Sequence, residues 1–217
     1  MLPPVIPLFP LPNVVLFPGA CLPLHVFEPR YRAMVSDVLA GDRLIGLVLL
    51  QHGWEEDDEG HPPVYPVGCA GLVTHADRLE DGRYDIVLCG LEKFRIVTEL
   101  NETGLSLARP YRVARIEPLP EPFQAGERDA IQEGRRRLEA FLATRVTGDG
   151  RHGLLPPGIP DGDLINALSQ HLALEPLEKQ ALLERDGLLA RCRSLVELLE
   201  MKELTGRLSI LVKDRTH

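Results

Sequence analysis

The chain has 217 residues, 44% hydrophobic and 26% charged, with a formal net charge of −8 and a pI near 5.4. That composition is ordinary for a globular protein, and the length is enough for one large core or two modest ones. The acidic balance works against phosphate-backbone binding, so nucleic acid is not an expected partner. No apolar run approaches the roughly 20 residues of a membrane helix. No basic segment precedes an apolar stretch at the N-terminus, so a membrane partner and a secretion signal are not expected and the cytoplasm follows by default.

Prolines punctuate the first thirty residues at Pro7, Pro10, Pro12, Pro18, Pro23 and Pro29. Each fixes φ and removes an N–H, which predicts short edge-type strands and no long helix or central strand here. Val14–Phe17 reads as a first strand closed by Pro18-Gly19, and Leu22, Leu24 and Val26 alternate as a second. The period then changes. Pro29 suits a first helical turn, Met34, Val35, Val38 and Leu39 share a face, and Gly41 stands as the residue after the cap. Glu28 and Arg30 are expected to pair and pin this helix to the sheet, and His25 to be a hydrogen-bonded core or turn residue. Leu44–Leu50 reads as a strand buried on both faces.

The next segment carries five consecutive carboxylates, Glu55–Glu59, beside Trp54. It lacks the calcium-loop ligand pattern and reads as a solvated loop with Trp54 as an anchor or contact residue. Cys69–His75 and Arg83–Cys89 read as strands around Asp81-Gly82, a type I′ hairpin signal. Gly90–Glu92 breaks the second run, Phe94–Leu100 restarts it, and Tyr111–Ile116 is the last strand. Beyond Pro118 the period is helical: Ala125–Val146, a helix through Leu172 capped by Asp161 or Asp163, one opened by Pro176 with Gly187 near its end, and Leu188–Leu208. In the last, Leu188, Cys192, Leu195 and Leu199, with Met201 or Leu204, face inward and Arg191 outward. The run Arg135-Arg136-Arg137 reads as a solvated face beside Glu133 and Glu139. Thr147–Pro160 is a Gly- and Pro-rich loop. The four cysteines are widely spaced in apolar contexts and read as small buried hydrophobes.

The run Pro7-Leu8-Phe9-Pro10-Leu11-Pro12, then Val15-Leu16-Phe17-Pro18-Gly19, then Leu22-Pro23-Leu24-His25-Val26-Phe27-Glu28-Pro29-Arg30-Tyr31 resembles the opening of the Lon protease N-terminal (substrate-binding) domain family. The likeness continues through Asp81–Ile86, Gly90–Ile96 and Glu178–Glu184, with Arg191 and a leucine-rich helix after it. It implies an α+β protein: an N-terminal PUA-like β-barrel or folded sheet with one helix (residues 1–117), a Pro-rich linker (118–124) and a C-terminal helical bundle (125–217). It also implies a stand-alone module without the ATPase and peptidase domains, which binds unfolded or extended polypeptide, serves quality control beside a separate protease or chaperone, and assembles as a homo-oligomer.

No catalytic constellation accompanies this. None of the four lysines follows a glycine, so a Walker A loop is missing, and no Gly-x-Ser-x-Gly elbow or His-Glu-x-x-His helix occurs. No cofactor or metal site is expected. The expected function is therefore non-catalytic protein or peptide binding, with Tyr31, Trp54 and Phe123 as candidate aromatic anchors and a sheet edge or groove as the site. The alternatives are a small-molecule or RNA-binding PUA-like module and a hydrolase without a recognisable motif.

Overall fold

The proline-rich opening does form a strand, and an internal one. The computed structural model describes residues 2–51, 53, 62–100, 109–121, 125–143 and 158–205. The acidic loop with Trp54, the anchor candidate Phe123 and most of Thr147–Pro160 lie outside these. Strand β1 (Val5–Leu11) lies between β3 (Leu44–Leu49), parallel, and β6 (Val113–Pro118), antiparallel. Its two prolines are tolerated because the pairings are staggered. The Leu8 N–H points toward β6, to the Arg112 carbonyl, while the Leu11 carbonyl points toward β3. Alternation then aims the missing N–H of Pro7 at β3, ahead of the first paired residue Leu8, and that of Pro10 at β6, beyond the last paired residue Pro7. Val14–Phe17, expected as a strand, is irregular; Leu16 and Phe17 are nevertheless fully buried.

The sheet has six strands in the order β2-β5-β4-β3-β1-β6, with β2 (Cys21–Val26), β4 (Val67–Arg78) and β5 (Tyr84–Glu99) completing it. A further β5–β6 pairing closes the hydrogen-bonded circuit β5-β4-β3-β1-β6. β5 is one continuous strand, not two. A register shift at Ala70/Gly71 of β4 absorbs the irregularity near Gly90, where a side chain would strike the Phe17 backbone. Its first half pairs with β2 and its second with β6.

Alternation divides the apolar residues between two clusters. Ile6, Leu8, Val48, Ala70, Phe94, Ala114 and Ile116 form one, where Gly46 and Gly68 leave room for the Phe94 ring. Phe9, Ile45, Leu47, Val73, Ile86 and Leu88 face the other, which takes in helix α1 (Pro29–Leu39) through Tyr31, Met34, Val35 and Val38. Helix α1 starts at Pro29 as the sequence predicts. Gly41 follows the cap Ala40 as the sequence predicts, and the left-handed residue lies two positions further on, at Arg43 (φ 60°). The β4–β5 hairpin also differs from expectation. Gly82 alone has positive φ, its N–H donates to the Leu79 carbonyl and Leu79 N–H donates to Arg83, a type I turn with a bulge.

The chain divides into two compact units, Met1–Pro120 and Glu121–His217. The second contains α2 (Arg128–Ala143), preceded by a 3₁₀ turn, α3 (Asp161–His171), α4 (Pro176–Leu183) and α5 (Gly187–Leu204), with α5 touching the other three. Gly134 lets α2 approach Cys192 of α5 closely. Asp161 and Asp163 do not cap α3. Pro160 holds that position, and Asp161 accepts from Arg135 at 2.8 Å instead. Pro176 opens α4 with a Glu175/Glu178 capping box, whereas Gly187 (φ 82°) begins α5 rather than ending α4.

Arg191 corrects its sequence reading outright. It is fully buried: Nε donates to the Leu182 carbonyl, Nη1 to Asn166 at 2.8 Å, and both Nη atoms to the Glu121 carboxylate. Met201 and Leu204 are exposed rather than inward. Taken together, these elements make the protein α+β, a mixed six-stranded sheet with five α-helices among the described residues.

Candidate functional site

Within the first unit a cavity of about 350 Å³ opens where β1 ends, β2 runs into α1, and Leu50, Pro62 and Arg112 approach. Its construction follows from local sequence. Alternation along β1 turns Phe9 toward the α1 side, and Pro29 forces the chain from strand to helix immediately after β2, so Val26, Phe27, Arg30 and Tyr31 fall around one opening.

The Phe9 and Tyr31 rings lie 4.6 Å apart at 47° and are both buried. The Arg30 guanidinium sits 4.6 Å over the Tyr31 ring. Burial pushes the Tyr31 phenol up, with Glu28 adding to the rise against Arg30 and Arg112. Phe27 is the exposed aromatic, with 60% of its surface open, stacked on His25 at 6.3 Å. Arg112 forms the polar wall. It is held by Glu99 through both carboxylate oxygens and donates from Nη1 to the Pro62 carbonyl at 2.7 Å. The result is an apolar, aromatic floor with its charged groups already paired, suited to receiving an apolar side chain.

The Glu28–Arg30 pair forms at 2.8 Å, but between neighbours on the same exposed rim, so it does not tie helix to sheet. His25 is exposed and engaged twice. Its Nδ1 lies 2.6 Å from Asp85, and its Nε2 receives Arg83 Nη1 at 3.1 Å. Because guanidinium only donates, Nε2 accepts and the proton sits on Nδ1. A base oriented by a carboxylate is half of a nucleophile-activating arrangement; here the other ring nitrogen meets Arg83 instead of a nucleophile.

Of the three aromatic candidates, Tyr31 lies in the cavity, and Trp54 and Phe123 lie outside the described residues. Phe27 was missed. A signal existed: an apolar residue just before a helix cap normally staples onto the fourth helical position, which here is Arg32. An aromatic without that partner is left facing outward. The four cysteines, alike in their apolar sequence contexts, differ in the structure. Cys69 and Cys192 are buried and outside any disulfide, while half-buried Cys21 and Cys89 form a disulfide across the directly opposed β2–β5 pair. The basic run 135–137 is matched by carboxylates at every position: Arg135 with Glu139 and Asp161, Arg136 with Glu133, Arg137 with Glu200. No helix of the described residues is long and apolar enough to cross a membrane, and no cluster of three metal-ligating side chains occurs among them.

Lon protease 2 of Myxococcus xanthus is 29% identical over 96% of this chain, and Lon protease of Anaeromyxobacter dehalogenans 29% over 96%. The chain spans about a quarter of the length of these relatives: 25% and 24%. Among solved structures, the N-terminal domain of Mycobacterium avium complex Lon protease matches with a TM-score of 0.63 at 16% identity, over 90% of this chain and 98% of that one. The Lon N-terminal domain protein from Xanthomonas campestris matches with a TM-score of 0.55 at 23% identity, over 90% and 97%. The family model of the ATP-dependent protease La (LON) substrate-binding domain matches residues 5–201, and the chain belongs to that family.

Proposed function

We propose that this protein is a non-catalytic polypeptide-recognition module whose site is the cavity between β1, the end of β2 and the start of α1. The observation that carries the reading is an exposed Phe27 beside a buried Phe9–Tyr31 floor, in a fold whose family is described as substrate-binding. An extended or unfolded segment places a large apolar side chain on that floor, with Tyr31 and Phe27 as anchors. Binding through the β2 edge is disfavoured. The register turns Pro23 outward, removing the central N–H that an added strand would need. On this reading the circuit of strands is a PUA-like barrel at residues 1–117, followed by a linker at 118–124 and a helical bundle at 125–217. The module acts in the cytoplasm in protein quality control, with ATPase and peptidase functions supplied by other domains or chains.

A fluorescence-anisotropy titration with reduced, carboxymethylated α-lactalbumin tests it. Phe27→Ser should weaken binding by about 1–2 kcal/mol, roughly five- to thirtyfold, with the melting temperature unchanged because Phe27 is exposed. Equal affinity of the variant and the parent would remove the cavity from the mechanism. A second reading, a small apolar ligand, rests on the cavity volume, which falls in the small-molecule range. It predicts that an apolar ligand displaces the probe.

A further inference from the structure

The Cys21–Cys89 disulfide fastens the one element that carries the exposed wall of the recognition site. Among the described residues β2 has β5 as its sole strand neighbour and meets it through the pairs 22↔88, 24↔86 and 26↔84, the hydrogen-bonded set that follows from the Gly90 N–H bond to Ala20. The disulfide occupies the intervening pair at the start of the strand, and the end of the strand supplies His25 and Val26 to the cavity, with Phe27 next. Cys21 and Cys89 are half-buried, whereas Cys69 and Cys192 are buried. Accessible disulfides are the reducible, regulatory kind. Sequence separation adds leverage, because the two ends of the cross-link are 68 positions apart in the chain.

We propose that Cys21–Cys89 is a reducible latch on the recognition site. Oxidised, it holds β2 and the Val26–Phe27 wall against β5. Reduced, β2 opens and the site loses affinity. The co-reactant is a dithiol. Its thiolate attacks Cys21 Sγ, the Sγ–Sγ bond breaks, and Cys89 departs as a thiolate that takes a proton, beside Thr74 Oγ1 at 3.6 Å. The second thiolate of the reductant then displaces Cys21 from the mixed disulfide, and Cys21 also takes a proton. Two electrons and two protons enter the cysteine pair and the reductant leaves as a disulfide.

The affinity half of the proposal rests on the polypeptide-binding reading, so the experiment has two readouts. Hydrogen exchange of the peptide spanning residues 21–31 is measured with and without dithiothreitol, alongside the affinity for carboxymethylated α-lactalbumin. Reduction should speed exchange of the Leu22, Leu24 and Val26 amides about tenfold and weaken probe binding about fivefold. The double variant Cys21→Ser/Cys89→Ser should match the reduced protein and ignore dithiothreitol; the parent protein decides the matter by itself if that variant does not fold. Unchanged exchange on complete reduction overturns the latch, as does unchanged affinity for a probe that binds. A probe that binds in neither state overturns the polypeptide reading, and the exchange readout still decides whether β2 is latched.

Discussion

Tyr111 and Asp37 show how a single polar contact holds the sheet to its helix. The buried Tyr111 hydroxyl donates to Asp37 Oδ2 at 2.6 Å, linking the approach to β6 with the last turns of α1. Burial, then the bond to Asp37, pushes the phenol from 10.0 up to about 12. A raised folded-state value means that the stabilisation is complete below pH 10.0 and is lost as pH rises toward about 12. Spectrophotometric titration should therefore show one phenol ionising near 12, absent in Tyr111→Phe. That variant should lose about 1–2 kcal/mol in urea unfolding at pH 7, since it removes one charge-assisted hydrogen bond. Arg191 illustrates the limit of sequence at this scale. Its charge argues for an outward face, although its spacing from Leu188, Cys192 and Leu195 is that of the inward stripe. Three acceptors from separate segments, Leu182, Asn166 and Glu121, satisfy the guanidinium inside. Nothing local in α5 announces such partners.

β2 is the element on which the site depends. Its alternation was legible, and so was the helix start at Pro29, because both follow from steric rules acting over a few residues. Its partner was not. Register with β5 pairs positions summing across the whole strand, from Cys21↔Cys89 to Val26↔Tyr84, and no spacing in the chain encodes that choice. Pro23 blunts the free side of the strand. Pro23→Val should restore an outward N–H and promote edge-to-edge association, seen as a larger sedimentation coefficient at high protein concentration. A variant that stays as dispersed as the parent would show that another feature protects the edge. β1 teaches the converse. A local rule forbade an internal strand with two prolines, and the staggered ends of its two neighbours removed the objection.

At the scale of the molecule, each unit has its own buried apolar set: the two sheet clusters in Met1–Pro120, and Ile131, Leu138, Leu164, Ile165, Leu182, Cys192, Leu195 and Leu199 in the helices of the second. Separate cores predict separate cooperativity. Calorimetry should resolve two transitions, and dithiothreitol should lower only the one belonging to Met1–Pro120, by about 2–4 kcal/mol of stability for a cross-link of this kind. A single transition that shifts as a whole would mean the units unfold together.

The sequence by itself determined the helix at Pro29, the doubly buried strand at Leu44, the start of α4 at Pro176, and the family likeness, because these depend on neighbours within one or two turns or on a long run of matching residues. The tertiary structure decided which cysteines pair, that Arg191 is interior, and that Phe9, Phe27, Tyr31 and Arg112 surround one cavity. The cysteine pairing and the cavity rest on strand register and on closure of the circuit between β5 and β6. The burial of Arg191 rests on helix packing that brings Asn166, Leu182 and Glu121 to it. Both join residues far apart in the chain, where local propensity carries no information.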